Sequence, residues 1–254
     1  MPRQAATDAV RGALKRKDLD MYYYYDYSWI VLLPAILFTF VCQGKINSAY
    51  RKYSQVRNST GITGAEAARA MMDANGLSGV AINVLNAGNQ LTNYYDPRNK
   101  SLNLSKEVYA SSSVASVCIA CHEVGHAIQD VQHYAPLVFR NGIVPVVNLT
   151  QMASWPLIFI GLLLSVSSPY GSLMFLIGVG CFLFVILFHL VTLPVEFNAS
   201  NRALEQMRVL HLVNEEDYIG SREVLRAAAM TYVAALATAV ASLLRVLLIA
   251  GRRN

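Results

Sequence analysis

Residues Asn141 to Val195 read NGIVPVVNLTQMASWPLIFIGLLLSVSSPYGSLMFLIGVGCFLFVILFHLVTLPV, fifty-five residues without one Asp, Glu, Lys or Arg. A helix that crosses a bilayer needs about 20 apolar residues, so this run accommodates two crossings. Ser165-Val-Ser-Ser-Pro-Tyr-Gly171 concentrates Ser, Pro and Gly and is the natural turn between them. His189 is the only basic side chain in the run. Outward from it, a further span fits between Asp26 and Lys45, centred on Trp29-Ile-Val-Leu-Leu-Pro-Ala-Ile-Leu-Phe-Thr-Phe-Val41. Pro34 is tolerable there as a kink, and the Tyr22–Tyr25 run with Trp29 suits an interfacial aromatic belt. A fourth apolar stretch, Ala227 to Leu244, is rich in Ala with Thr and Ser, the composition of a span packed inside a bundle through small residues.

The whole composition agrees: 54% of residues are apolar, only 15% are charged, and the mean hydropathy is +0.36. Soluble domains carry about a quarter charged residues, so the chain is expected in a lipid bilayer. The sequence divides into a basic N-terminal tail (1–26), a transmembrane anchor (27–44), a folded segment outside the membrane (45–140), the transmembrane hairpin (141–195), a second outside segment (196–226) and a C-terminal helix that spans (227–254). The tail, with Arg3, Arg11, Lys15, Arg16 and Lys17, is not followed closely by a short apolar region and cleavage site, so the first span reads as a retained anchor. The expected class is a mainly α, multi-pass helical membrane protein with a small α+β part.

In the outside segment, Asn58-Ser-Thr60 reads as the cap of a helix through Ala65–Met72 that ends at Asn75-Gly76. Leu91–Tyr95, a turn at Asp96-Pro-Arg-Asn99, and Ser101–Leu104 read as a hairpin. One helix is then expected from Val108 to about Gln132. It carries His122-Glu123-Val-Gly-His126. Histidines four apart leave the same face of a helix, at a separation that lets two ring nitrogens share one tetrahedral Zn²⁺. Glu123 can reach a water at that position and act as general base. The bland reading is a helix with two solvated or hydrogen-bonded histidines. Against it, the flank Ser113–Cys121 is small and apolar, and burying two histidines and a glutamate there is costly without compensation.

A second motif overlaps the first. Cys118-Ile-Ala-Cys121-His122 spells the attachment pattern of c-type haem, but that reading leaves Glu123 and His126 without a role. The alternative is that both cysteines are small buried apolar residues. Four cysteines in an apolar chain of this length do not make a disulfide scaffold.

Catalytic zinc takes three protein ligands and keeps one open position. Downstream of His126, Asp130 is one choice for the third, though so close a ligand crowds the open position. Further on stand Glu196, Glu205, Glu215, Glu216, Asp217 and Glu223, and Glu196 stands out: it is the first charge after the uncharged run and opens what reads as a helix start, its bland reading being an interfacial carboxylate at the end of a span. Ligands of one metal must lie on one side of the membrane. Two crossings between His126 and Glu196 return the chain to the side it left, so topology permits Glu196.

Several blocks resemble the YugP-like family of membrane zinc metallopeptidases, also called neutral zinc metallopeptidase type 2. They are Tyr53-Ser-Gln-Val-Arg-Asn-Ser-Thr-Gly-Ile-Thr-Gly-Ala-Glu66, Tyr94-Tyr-Asp-Pro-Arg-Asn-Lys-Ser-Leu-Asn-Leu-Ser105, His122-Glu-Val-Gly-His-Ala-Ile-Gln129, Leu193-Pro-Val-Glu-Phe-Asn-Ala-Ser200 and Leu225-Arg-Ala-Ala-Ala-Met-Thr-Tyr-Val233. The resemblance covers the chain from about Tyr22 to its end. It implies a multi-pass bacterial membrane protein with a gluzincin-like site, His122, His126 and Glu196 holding one Zn²⁺ per chain and Glu123 acting as base. It also makes Tyr232 a candidate second donor to the oxyanion. Two departures stand out. Cys121 precedes His122, where such proteins usually carry a small apolar residue. Asn198 stands where an acidic residue is common, so support of a histidine ligand would fall to a weaker hydrogen bond from Asn198, Ser200 or Asn201.

The expected function is therefore a membrane-embedded zinc endopeptidase acting on protein or peptide substrates. The rival is a membrane scaffold that binds zinc and hydrolyses nothing. The net charge of +5 and pI near 9.0 suit basic loops at anionic lipid, and no nucleic-acid motif is present. Lys45, Arg51, Lys52 and Arg57 follow the first span, and Arg202 and Arg208 follow the third, whereas 165–171 holds no Lys or Arg. The positive-inside rule then places the catalytic side in the cytoplasm of a bacterial cell, with the basic N-terminal tail counting the other way.

Overall fold

The computed structural model describes residues 27–85, 92–164 and 168–251. The basic tail, the Tyr22–Tyr25 run, Leu91 and residues 165–167 of the expected turn lie outside the described residues.

Among the described residues, four helices are long and apolar enough to cross a membrane. A 3-10 turn, Tyr27–Val31, leads into α1 (Leu32–Tyr53); α5 (Ala135–Leu164) and α6 (Pro169–Val209) form the hairpin, and α7 (Glu215–Gly251) closes the chain. Between α1 and α5 lie α2 (Gly64–Ala74), strands β1 (Ala81–Leu85), β2 (Tyr94–Asp96) and β3 (Ser101–Ser105), α3 (Lys106–Ala110) and α4 (Val114–Val131). The protein is thus mainly α, with one small three-stranded sheet among the described residues.

The membrane helices run past the apolar residues that define them. α1 continues to Tyr53, α6 continues through Glu196 to Val209, and α7 begins at Glu215, well before Ala227. Glu196 therefore sits inside a continuous helix and does not open one. Helix hydrogen bonding is indifferent to the polarity outside the helix, so leaving the bilayer does not end it. What ends or starts these helices is local: Asn214 Oδ1 accepts the Asp217 backbone N–H at 2.8 Å, and Glu215, Glu216 and Asp217 fill the first turn of α7. The hairpin is drawn tight by glycine. A Cβ on Gly178 would stand 2.7 Å from the Ile158 backbone nitrogen, so α5 and α6 approach backbone to backbone.

Outside the apolar band, α4 is the core. Val117, Cys118, Ala120, Cys121, Val124 and Ala127 are fully buried, and Ala67, Ala68, Met71 and Met72 of α2 pack in the same cluster. α2 is capped by Thr63, not by Asn58-Ser-Thr60: the Thr63 hydroxyl accepts from the Glu66 N–H while the Glu66 carboxylate accepts from the Thr63 N–H. Asn58 instead ties its loop together, donating to the carbonyls of Ile62 and Ser112. The expected single helix from Val108 to Gln132 is broken at Ser111–Ser113. The Ser113 hydroxyl accepts from the Ser116 N–H and caps α4, while Ser113 bridges to Arg57.

The hairpin is present as β2 antiparallel to β3, and the sheet order is β1-β3-β2. β1, which pairs parallel with β3, was not expected, since Ala81-Ile-Asn-Val-Leu85 has no turn residue at fixed distance to announce it. β3 is central, with Leu102 and Leu104 turned into the core, so β2 is left as the edge strand nearest α4.

Both α4 cysteines belong to that core. Cys118 and Cys121 have no exposed surface, the Cys118 thiol donates to the Ala115 carbonyl, and burial pushes the Cys121 thiol up to about 12. Thiols so placed stay protonated and enclosed, and cannot meet the vinyl groups of a haem. A maleimide at pH 8 should accordingly label them in denatured protein and leave them unlabelled in folded protein. Purified protein should show no haem absorbance; a Soret band lost in a Cys118→Ala, Cys121→Ala variant would overturn this reading.

Candidate metal centre

α4 and α6 cross where α4 has no side chain. A Cβ on Gly125 would stand 2.6 Å from the Ala199 carbonyl oxygen, so only glycine lets the helices approach this closely. The crossing sits between the two histidines of α4 and just beyond Glu196 on α6. As a result His122, His126 and Glu196 converge, with their ligand atoms all within 4.8 Å of one another. Glu196 Oε2 lies 3.4 Å from His122 Nε2 and 3.6 Å from His126 Nε2. Two ligands at tetrahedral zinc, each about 2.1 Å from the ion, stand roughly 3.4 Å apart. The donor set thus fits zinc in chemistry and in spacing.

Glu123 lies alongside. With His122, Glu196 and Tyr232 it lines two adjoining cavities of about 200 and 250 Å³, one bounded by α1 and α7, the other by the β2 segment and the start of α5. Burial raises the Glu123 pKa and the nearby Glu196 charge adds to this; His122, His126 and a hydrogen bond from the Tyr95 backbone N–H pull against it, and the net direction is up. For His126, burial lowers the pKa, but Glu196, Glu123 and Gln129 outweigh it, and the net direction is again up. Two imidazoles and two carboxylates in one cleft offer the nitrogen and oxygen donors that zinc takes.

Each histidine is also held from behind. Ser200 Oγ stands 3.2 Å from His122 Nδ1, and Gln129 Oε1 stands 3.0 Å from His126 Nδ1. Ser200 thus supports a histidine directly. Asn198 does not: its Oδ1 accepts from Gln129 Nε2 at 2.9 Å and from Arg202 Nε at 2.7 Å. Tyr232 reaches the cleft with its hydroxyl toward Glu196. Asp130 is turned elsewhere, bound to the Tyr95 hydroxyl at 2.8 Å and to Lys100 Nζ.

Two residues of the site escaped sequence reasoning. Gln129 could have been found by its place three after His126 on the helix, one turn along the same face. Arg140, whose Nη1 lies 3.7 Å from Glu196 Oε1, could have been found as the last charge before the uncharged run, mirroring Glu196 at its other end. Its Nε is buried in the cleft wall without a hydrogen-bond partner among the described residues.

The family described as "Putative neutral zinc metallopeptidase" matches residues 28–251. The chain is 42% identical over 219 residues to "Putative membrane protease YugP" of Bacillus subtilis (strain 168), which covers 85% of this chain and 93% of that protein. No solved structure matches the chain.

Proposed function

Because the chain belongs to the neutral zinc metallopeptidase family, we propose that it is a zinc-dependent endopeptidase of the bacterial cell membrane, hydrolysing protein or peptide substrates at a site held by His122, His126 and Glu196. The observation that carries this reading is the convergence of two Nε2 atoms on one carboxylate oxygen, at 3.4 and 3.6 Å, with a further carboxylate, Glu123, beside them in a cleft. Zinc bound there would polarise the scissile carbonyl and lower the pKa of an attacking water. Glu123 takes the proton from that water and returns it to the leaving amine. The pKa elevation that burial gives Glu123 suits both halves of that task. Tyr232 and Arg140 line the same cleft and supply hydrogen-bond donors on the side of Glu196. The edge strand β2 borders it and offers backbone pairing to an extended peptide.

Purified protein should carry about one zinc per chain, chelation should abolish hydrolysis of a protein substrate, and added zinc should restore it. His122→Ala, His126→Ala and Glu196→Ala should each lose the metal, while Asp130→Ala keeps it. Zinc bound by a wild-type protein that hydrolyses nothing would leave the scaffold reading in place.

The catalytic side faces the cytoplasm in this reading, because Lys45, Arg51, Lys52, Arg57, Arg202 and Arg208 all flank the spans on that side. Single cysteines at Asn99 and Ser168, in a background without the native cysteines, test it with a membrane-impermeant thiol reagent on intact cells. Labelling at Ser168 and not at Asn99 is expected; the reverse would invert the protein.

A further inference from the structure

We infer that Gln129, oriented by Val195, Asn198 and Arg202, fixes the tautomer of His126 and so turns the lone pair of its Nε2 toward Glu196. The inference rests on the zinc-site reading above and names what prepares one of its ligands.

The direction of each hydrogen bond follows from the one before it. The Arg202 guanidinium has donors and no acceptor. Its Nε lies 2.7 Å from one atom of the Asn198 amide, which must therefore be the oxygen. Gln129 Nε2 lies 2.9 Å from that same oxygen and 2.8 Å from the Val195 carbonyl oxygen. Facing two acceptors, this end of the Gln129 amide must be its NH2. The other end, Oε1, then stands 3.0 Å from His126 Nδ1 and can only accept, so Nδ1 carries the hydrogen. A neutral imidazole has one hydrogen, and Nε2 is left with a free lone pair 3.6 Å from Glu196 Oε2. Gln129 is completely buried, so reversing any link would set two acceptors or two donors face to face with no water to relieve them. Arg202 Nη1 also donates to Gln132 Oε1 at 2.6 Å, which pins the start of the relay to the end of α4.

The two histidines differ in this respect. His122 Nδ1 meets the Ser200 hydroxyl, which can donate or accept, so nothing there imposes a tautomer. Asn198 serves here as an acceptor between two donors. A carboxylate can fill that role and an apolar side chain cannot.

Two measurements on the purified full-length protein test this. Imidazole nitrogen shifts of ¹⁵N-histidine-labelled, chelator-treated protein, recorded at alkaline pH where the rings are neutral, should show His126 with its hydrogen on Nδ1 and, in Gln129→Met, a loss of that preference. This readout needs neither metal nor activity, so it stands even if the protein proves not to be a zinc enzyme; a wild-type His126 with its hydrogen on Nε2 overturns the inference. Zinc titration against a chromophoric chelator should then show Gln129→Met weakened about 10–100-fold, as is usual for a group behind a metal-ligating histidine. Arg202→Met should be weakened less, and the double variant should match Gln129→Met within about threefold, because Arg202 acts through Gln129. Additive losses, or wild-type affinity in Gln129→Met, would overturn it. Should Gln129→Met fail to fold, Asn198→Asp and Asn198→Leu replace it: the first should keep wild-type affinity and the second should lose it, and equal behaviour of the two overturns the inference.

Discussion

Glu123→Gln should lose proteolysis by on the order of a thousandfold or more while keeping its zinc and its fold. Glu123 is not one of the three converging ligands, so the metal does not depend on it. Its carboxylate accepts the Tyr95 backbone N–H, and a glutamine keeps an oxygen for that bond, so β2 should stay where it is against α4. What the amide cannot do is take a proton. If Glu123 is the general base, the substitution removes it and should leave the three ligands, the cleft and the edge strand in place. Hydrolysis of a protein substrate and zinc content, measured on the same preparation, decide the matter. Near wild-type cleavage by Glu123→Gln would mean that Glu123 is not the base and that the catalytic assignment fails.

That test rests on a residue legible in five letters of sequence, and the reason is geometric. Ligands on one helix, four apart, obey the helix period, so His122, Glu123 and His126 could be read without knowing the fold. Glu196 lies seventy residues beyond His126; it stands out as the first charge after the uncharged run, and counting membrane crossings permits it without selecting it. The number and order of spans were legible because an uncharged run has few ways to fold. Their ends were not: α1, α6 and α7 run on beyond the apolar band, because local caps, such as Asn214 at the start of α7, set helix boundaries and polarity alone does not. β1 was invisible, since a short strand paired parallel to β3 has no local partner in the sequence. Gln129 and Arg140 were legible only as positions, one turn beyond His126 and at the edge of the uncharged run, and not as parts of a site. A glutamine or arginine is ordinary on any helix, and only the approach of α4 to α6 brings the first against Val195 and Asn198, and only the packing of the α5–α6 hairpin brings the second to Glu196. Asn198 was read as a weak support for a histidine ligand and proves to support the glutamine that does so.

The approach of α4 to α6 itself yields the second large effect. Gly125→Val should bind no zinc under conditions that saturate the wild type, and Gly125→Ala should bind it at least about tenfold more weakly. An alanine Cβ would stand 2.6 Å from the Ala199 carbonyl oxygen and 3.2 Å from both the carbonyl carbon and the Cα of the same residue. All are backbone, so no side chain can swing away, and the helices must part by several tenths of an ångström. Ala199 has no exposed surface and is held by the rest of the core, so the strain cannot escape outward. Overpacking of this kind costs about 1–3 kcal/mol. The His122 and His126 nitrogens stand on one helix and the Glu196 oxygen on the other, at separations of 3.4 and 3.6 Å that already match a tetrahedron of roughly 2.1 Å bonds. Parting the helices widens both separations at once, and the three ligands can no longer close on one ion. Valine adds two methyl groups to the same gap and a β-branched clash with it. Zinc content and thermal unfolding of the two variants check this, with the loss of metal expected to exceed the loss of stability in Gly125→Ala. A Gly125→Val protein that keeps wild-type zinc content would show that the crossing does not set the ligand geometry, and would break the link drawn here between a glycine in the motif and a glutamate seventy residues on.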